Sequence, residues 1–158
     1  MRIIGIDPGM AIVGYSILDC EAGSKNILVN CGSIQTDKTL SNATRLLEIY
    51  NDLSHLLKTY KPNIASVEQL FYFKNAKTVI PVAQARGVIL MTLEMFDIPI
   101  YEYTPLVVKQ TITGYGRSDK KDVKEMVEIL LSGQKLPKLD DAVDAVAIAL
   151  CHTMCDVG

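Results

Sequence analysis

The sequence predicts an α/β fold: a mixed five-stranded sheet, a three-stranded antiparallel meander plus parallel strands, with helices on both faces. Three observations predict it. Residues 2–36 hold three alternating apolar runs separated only by short Gly-containing turns, which is how antiparallel neighbours are joined. Two later runs, Ile64–Glu68 and Pro99–Tyr103, are separated from these and from each other by long stretches of helical periodicity. Helices that arrive after a meander cover the sheet on both faces. The 158 residues are expected to form one domain, 1–158, with a core large enough to need no disulfides.

Taken in order, residues 2–7 alternate and end in Asp7, and Pro8-Gly9 breaks the run. Ile12 to Leu18 is a second strand and Ile27 to Thr36 a third, joined by a turn through Gly23-Ser24. Ser41 or Asn42 opens a helix whose Leu46, Tyr50, Leu53, Leu57 and Tyr60 share one face, and Lys61-Pro62 stops it. Ile64 to Glu68 is the fourth strand and again ends in an acid. After a loop at Phe71-Tyr72-Phe73-Lys74-Asn75, a long helix runs from about Lys77 to Phe96. Gly87 inside it costs about 1 kcal/mol relative to alanine, so close packing is expected there. Pro99 to Tyr103 is the fifth strand, and Thr104-Pro105 opens a short helix to Ile112. Gly114-Tyr115-Gly116-Arg117 reads as a mobile loop, Ser118 as the cap of a helix over Asp119–Leu131, and Asp140 as the cap of the last helix.

Composition is that of a soluble globule, and no stretch offers the ~18 uncharged apolar residues of a membrane span. A cytoplasmic protein without a membrane partner is expected. Cys20, Cys31, Cys151 and Cys155 form neither a CxxC pair nor a zinc pattern with His55 or His152, and read as reduced, mostly buried thiols. Net charge is −2, unevenly spread: residues 71–124 carry +3 and residues 125–158 carry −4. Two divalent cations on the acidic cluster described next would turn −2 into +2, so the global balance does not exclude nucleic acid.

Two strands end in an acid, Asp7 and Glu68, and the last helix begins with Asp141 and Asp144, three apart on one face. Adjacent strand ends lie only ~5 Å apart, and a helix packed over that edge could bring its first turn to the same point. Singly, each acid has a plain explanation: a turn for Asp7, a solvated strand end for Glu68, first-turn acids favoured by the helix dipole for Asp141 and Asp144. Together they form an oxygen-only donor set without His or Cys, which suits Mg²⁺ or Mn²⁺ rather than zinc. Two such ions ~3.5–4 Å apart clamp an in-line displacement at a phosphodiester: one activates water, the other stabilises the leaving 3′-oxygen.

Ile4-Gly5-Ile6-Asp7-Pro8-Gly9, Val67-Glu68-Gln69-Leu70-Phe71, Lys74-Asn75, Gln84-Ala85-Arg86-Gly87, Val108-Lys109-Gln110 and Asp141-Ala142-Val143-Asp144-Ala145 resemble, in order and spacing, the motif series of the RuvC family. These are bacterial Holliday-junction resolvases with a ribonuclease-H-like fold. The resemblance covers nearly the whole chain. It implies a homodimer that nicks two strands of four-way junction DNA symmetrically in recombination and repair, leaving 5′-phosphate and 3′-hydroxyl. It further implies two Mg²⁺ per site, with Mn²⁺ as substitute, and a branch-migration helicase complex as partner. Asp7, Glu68, Asp141 and Asp144 match the family's metal-binding catalytic acids. Phe71 matches an aromatic that stacks on bases, and Lys109 and Lys120 match basic residues near the phosphates. The family is often basic, and this chain is not.

Further DNA contacts are expected at Lys74 beside Phe71, at Arg86 on the long helix, and at Arg117 and Lys121 beside the Gly114–Gly116 loop. Each basic residue could equally belong to a solvated or salt-bridged face, and Tyr72 and Phe73 to the core. His152 reads as structural. Two other functions compete: a junction-binding module that no longer cuts, against which all four acids stand, and an ATPase half-domain, which needs a second domain for which the sequence leaves no room. The long helix, apolar at Val79, Val82, Ala83, Leu90 and Leu93, is a candidate interface element of a homodimer, although core packing gives the same pattern.

Overall fold

Strands β1 (Arg2–Asp7), β2 (Ile12–Asp19) and β3 (Ile27–Gln35) form the meander, and β4 (Ile64–Glu68) and β5 (Ile100–Tyr103) extend it in parallel, in the order β3-β2-β1-β4-β5. The structure, a computed structural model, describes residues 1–69 and 76–155, so Phe71, Tyr72, Phe73 and Lys74 lie outside the described residues. Helices α1 (Asn42–Tyr60) and α2 (Ala76–Met95) cover one face, and α3 (Pro105–Thr113), α4 (Lys120–Leu130) and α5 (Asp140–Cys155) cover the other. Strand alternation decides the layers. Ile4 and Ile6 of β1 are buried against Leu53, Leu57, Ile89 and Leu93, whereas Ile3 is buried against Val127, Val146 and Leu150. Residues 5 and 7 therefore share the α5 face with Ile3.

The position of α5 follows from a row of small residues. Gly5 pairs with Ser16 on β2 and Ser66 on β4. The Ser16 hydroxyl donates to the Ala145 carbonyl at 2.8 Å, and the Ser66 hydroxyl donates to the Ile148 carbonyl at 2.7 Å. A Cβ on Gly5 would stand 2.2 Å from the Ala145 oxygen. The next row towards the β1 C-terminus pairs Asp7 with Gly14, where a Cβ would stand 2.0 Å from the Asp141 oxygen. Two residues of strand advance ~6.6 Å and four residues of helix ~6 Å, so the two rows receive successive turns of α5. The sheet thus seats the first turn of α5 beside Asp7.

Several local expectations need correction. The cap of α4 is Asp119, in a reciprocal capping box with Asp122, and Ser118 is instead buried, donating to the Tyr115 carbonyl at 2.6 Å. Asp140 is the first residue of α5, whose first turn closes from the Val143 amide to the Leu139 carbonyl. The Gly114–Arg117 loop is pinned by side-chain hydrogen bonds from both flanks. Nothing among the described residues approaches within 4 Å of a Cβ on Gly87, because it lies on an exposed face of α2 and not on its Ala85–Ile89 core side. Of the four free cysteines only Cys151 is buried; Cys20 and Cys31 are half-buried and Cys155 is exposed. By length and composition α2 is apolar enough to cross a bilayer, yet Ala85, Ile89 and Leu93 pack into the core.

Candidate active site

Asp7 and Glu68 end neighbouring parallel strands, one residue beyond the Ile6–Val67 pair, and both face α5. The Asp7 and Glu68 carboxyls are close enough to interact directly, side chain to side chain. Burial, the Glu68 charge, the side-chain hydrogen bond with Glu68, and the charges of Asp144 and Asp141 together push the Asp7 carboxyl up to about 9. Glu68 is also raised, chiefly by burial and also by Asp144, against the pull of its Asp7 hydrogen bond and of Lys109 and Lys120. Burial raises Asp144 too, opposed by Lys120 and Lys109. Asp7 thus lies within electrostatic reach of the other three acids. Among the described residues no three His, Cys, Asp or Glu side chains are gathered tightly enough to enclose an ion in these rotamers.

Asp7, Glu68 and Asp144 open onto a groove. One part, a cavity of about 230 Å³, is lined by Asp7, Pro8, Glu68, Gln69, Thr78, Val79, Val82 and Pro105. A second part, about 210 Å³, shares Glu68 and Pro105 and adds Lys109, Lys120 and Asp144. Lys120 Nζ lies 3.9 Å from Asp144 Oδ2 and is largely exposed. A carboxylate pocket bordered by two lysines gives one wall for cations and one for anions. Of the apolar positions on the long helix, Val79 and Val82 line this groove and Leu93 is in the core.

The remaining predicted contacts scatter. The Arg86 guanidinium pairs with Glu102 on β5. Arg117 and Lys121 are exposed, and Lys121 Nζ lies 3.9 Å from Glu125 Oε1, one helical turn on. His152 is buried, with Nδ1 sharing a 2.7 Å hydrogen bond with the Tyr103 hydroxyl and its ring 4.4 Å from that of Tyr101. Sequence reasoning missed Gln69, Thr78, Val79, Val82 and Pro105 as groove residues, because no periodicity distinguishes a groove wall from a core contact.

A family model described as "Crossover junction endodeoxyribonuclease RuvC" matches residues 3–152. The chain belongs to the RuvC family. Among curated proteins of that name, the one from Thermosipho melanesiensis is 51% identical over 151 residues, covering 96% of both chains. The one from Caldicellulosiruptor saccharolyticus is 46% identical over 154 residues, covering 98% of this chain and 93% of its own. Among solved structures, T. thermophilus RuvC in complex with a Holliday junction substrate superposes with a TM-score of 0.91 at 28% identity, covering 98% of this chain and 94% of that one. The RuvC fold thus extends across the chain, including the α5 docking described above.

The raised carboxyls set a pH dependence in protein stripped of divalent ions. A carboxyl that binds its proton more tightly folded than unfolded stabilises the fold at low pH, and that stability is lost as pH rises from the ordinary aspartate range through the folded value. Thermal melts in EDTA should therefore show the wild type losing stability steadily from pH 5 to pH 9. Asp7→Asn, which carries no proton to lose, should flatten much of that slope; an equal slope in both would contradict a raised Asp7 carboxyl.

Proposed function

We propose that this chain is a single-domain, structure-selective endonuclease that resolves four-way DNA junctions by paired symmetric nicks, leaving 5′-phosphate and 3′-hydroxyl ends. The observation that carries the reading is the seating of Asp141 and Asp144 on α5 against Asp7 and Glu68 at the ends of β1 and β4. The donors are carboxylate oxygens alone, so the residues fit Mg²⁺, or Mn²⁺ in its place, and no softer ion. Two such ions held by Asp7, Glu68, Asp141 and Asp144 would supply Lewis acidity at the scissile phosphate and lower the pKa of attacking water. Lys109 and Lys120 reach the groove from α3 and α4, where they hold the phosphate and offset the acids' repulsion of DNA. Membership of the RuvC family and the likeness to a junction-bound relative support the substrate class. A cytoplasmic location and a branch-migration helicase complex as partner complete the reading.

A second copy of this chain belongs to the same proposal. On α2, Ile80, Gly87 and Met91 fall on one stripe, and Ile80 and Met91 are exposed. Leu47 of α1 and Met95 continue the apolar surface. A helix apolar on all sides is ordinarily covered. An isologous contact across that stripe would bring two helices together at Gly87, and would fix the spacing of two active sites.

A synthetic four-way junction should be nicked symmetrically in Mg²⁺ and left intact in EDTA, with linear duplex of the same sequence spared. Asp141→Asn or Asp144→Asn should slow nicking at least about 100-fold while junction binding persists. Cleavage at the wild-type rate by either variant would contradict the assignment. In sedimentation, the wild type should run as a dimer and Met91→Glu as a monomer; a wild-type monomer would remove the proposed interface.

A further inference from the structure

Beyond the acidic groove, one aromatic stands out on a surface the site does not use. Tyr115 is 60% exposed, next in sequence to Gly116, whose backbone lies against Leu106, itself 62% exposed. An exposed apolar side chain on a loose loop would mean little, but this loop is held firmly. The Gly114 amide donates to the Gln110 carbonyl, and the Gln110 side-chain amide donates to the Gly114 carbonyl at 3.0 Å. The Gly116 amide donates to Gln110 Oε1 at 3.0 Å, and the Tyr115 amide donates to Thr113 Oγ1 at 3.1 Å. Ser118, buried, donates to the Tyr115 carbonyl. The backbone on both sides of Tyr115 is thus fixed, with the Gly116 backbone against Leu106. An aromatic presented this way loses little entropy when it binds a flat partner.

Its surroundings select the partner. On α3, Pro105 and Lys109 line the acid groove, and Leu106 and Gln110 are the next residues round the helix, so the patch adjoins the groove across Lys109. Arg117, Lys120 and Lys121 follow the loop directly and are exposed. The nearby acids are engaged: Asp119 and Asp122 cap each other's backbone, and Glu125 lies 3.9 Å from Lys121. An exposed ring framed by lysine and arginine, next to a phosphate-cutting groove, has the chemistry of a single-stranded nucleic-acid platform: cations track the backbone and the ring takes a base.

We propose that Tyr115 stacks on an unpaired base of the junction strand that runs through the acid groove, holding that strand while its phosphate lies over the carboxylates. This rests on the nuclease reading above. The chain contains no tryptophan, so Tyr115→Trp creates a single indole reporter. Its emission should be quenched when a synthetic four-way junction is added in EDTA, where no strand is cut. Tyr115→Ala should bind the junction roughly 5- to 100-fold more weakly, with an unchanged melting temperature, and Tyr115→Phe should restore affinity. In Mg²⁺ the alanine variant's loss should fall on KM rather than kcat. Indole emission unchanged at saturating junction, or wild-type affinity in Tyr115→Ala, would overturn the proposal and leave the patch to a protein partner. Failure of the wild-type chain to bind the junction at all would overturn the nuclease reading together with it.

Discussion

The docking of α5 on the sheet is the constraint from which the rest of the molecule takes its meaning. Two glycines, Gly5 and Gly14, remove the side chains that would otherwise hold the helix off, and two buried hydroxyls, Ser16 and Ser66, grip its carbonyls. Neither device is strong alone: a net hydrogen bond contributes about 1 kcal/mol, and absent methyl groups contribute only proximity. What they achieve together is registration. The two sheet rows match two turns of helix, so Asp141 lies over the row that contains Asp7, and Asp144 stands beside Glu68.

Registration has an electrostatic cost. Two carboxylates 4 Å apart repel by about 4 kcal/mol at an effective dielectric of 20, and four acids multiply such terms. The structure lessens this locally in two ways. Burial and its acidic neighbours raise Asp7, which favours its neutral form, and Lys109 and Lys120 pull Glu68 and Asp144 down from the open side of the groove. Neither relieves the cluster fully, since Asp7, Glu68 and Asp144 all remain raised. Acids seated against their own repulsion are the donor set that the proposed function assigns to a multivalent cation, and Lys109 and Lys120 border the same groove.

Much of this was legible in the chain. The order of strands and helices followed from apolar periodicity, and the acids at element ends pointed to a shared site because strand ends in one sheet are neighbours. The glycine and serine row was not legible: Gly5 and Ser66 read as ordinary strand residues until their cross-strand partners are known. Arg86 carried two readings in one dimension, a phosphate contact or a salt-bridged face, and only the fold shows its pairing with Glu102 on the edge strand. Gly87 was read as a point of close packing, and among the described residues nothing of the chain itself packs there. The Gly114–Arg117 loop looked mobile by composition, but backbone hydrogen bonds and the side chains of Gln110, Thr113 and Ser118 hold it.

The proposed function requires Asp7, Glu68, Asp141 and Asp144 to act as one set of ion ligands. Anomalous diffraction from crystals soaked in Mn²⁺ tests this directly. Two peaks ~3.5–4 Å apart, each within about 2.5 Å of these carboxylate oxygens, are the outcome required. Manganese bound elsewhere, or none bound at this edge of the sheet, would contradict the account.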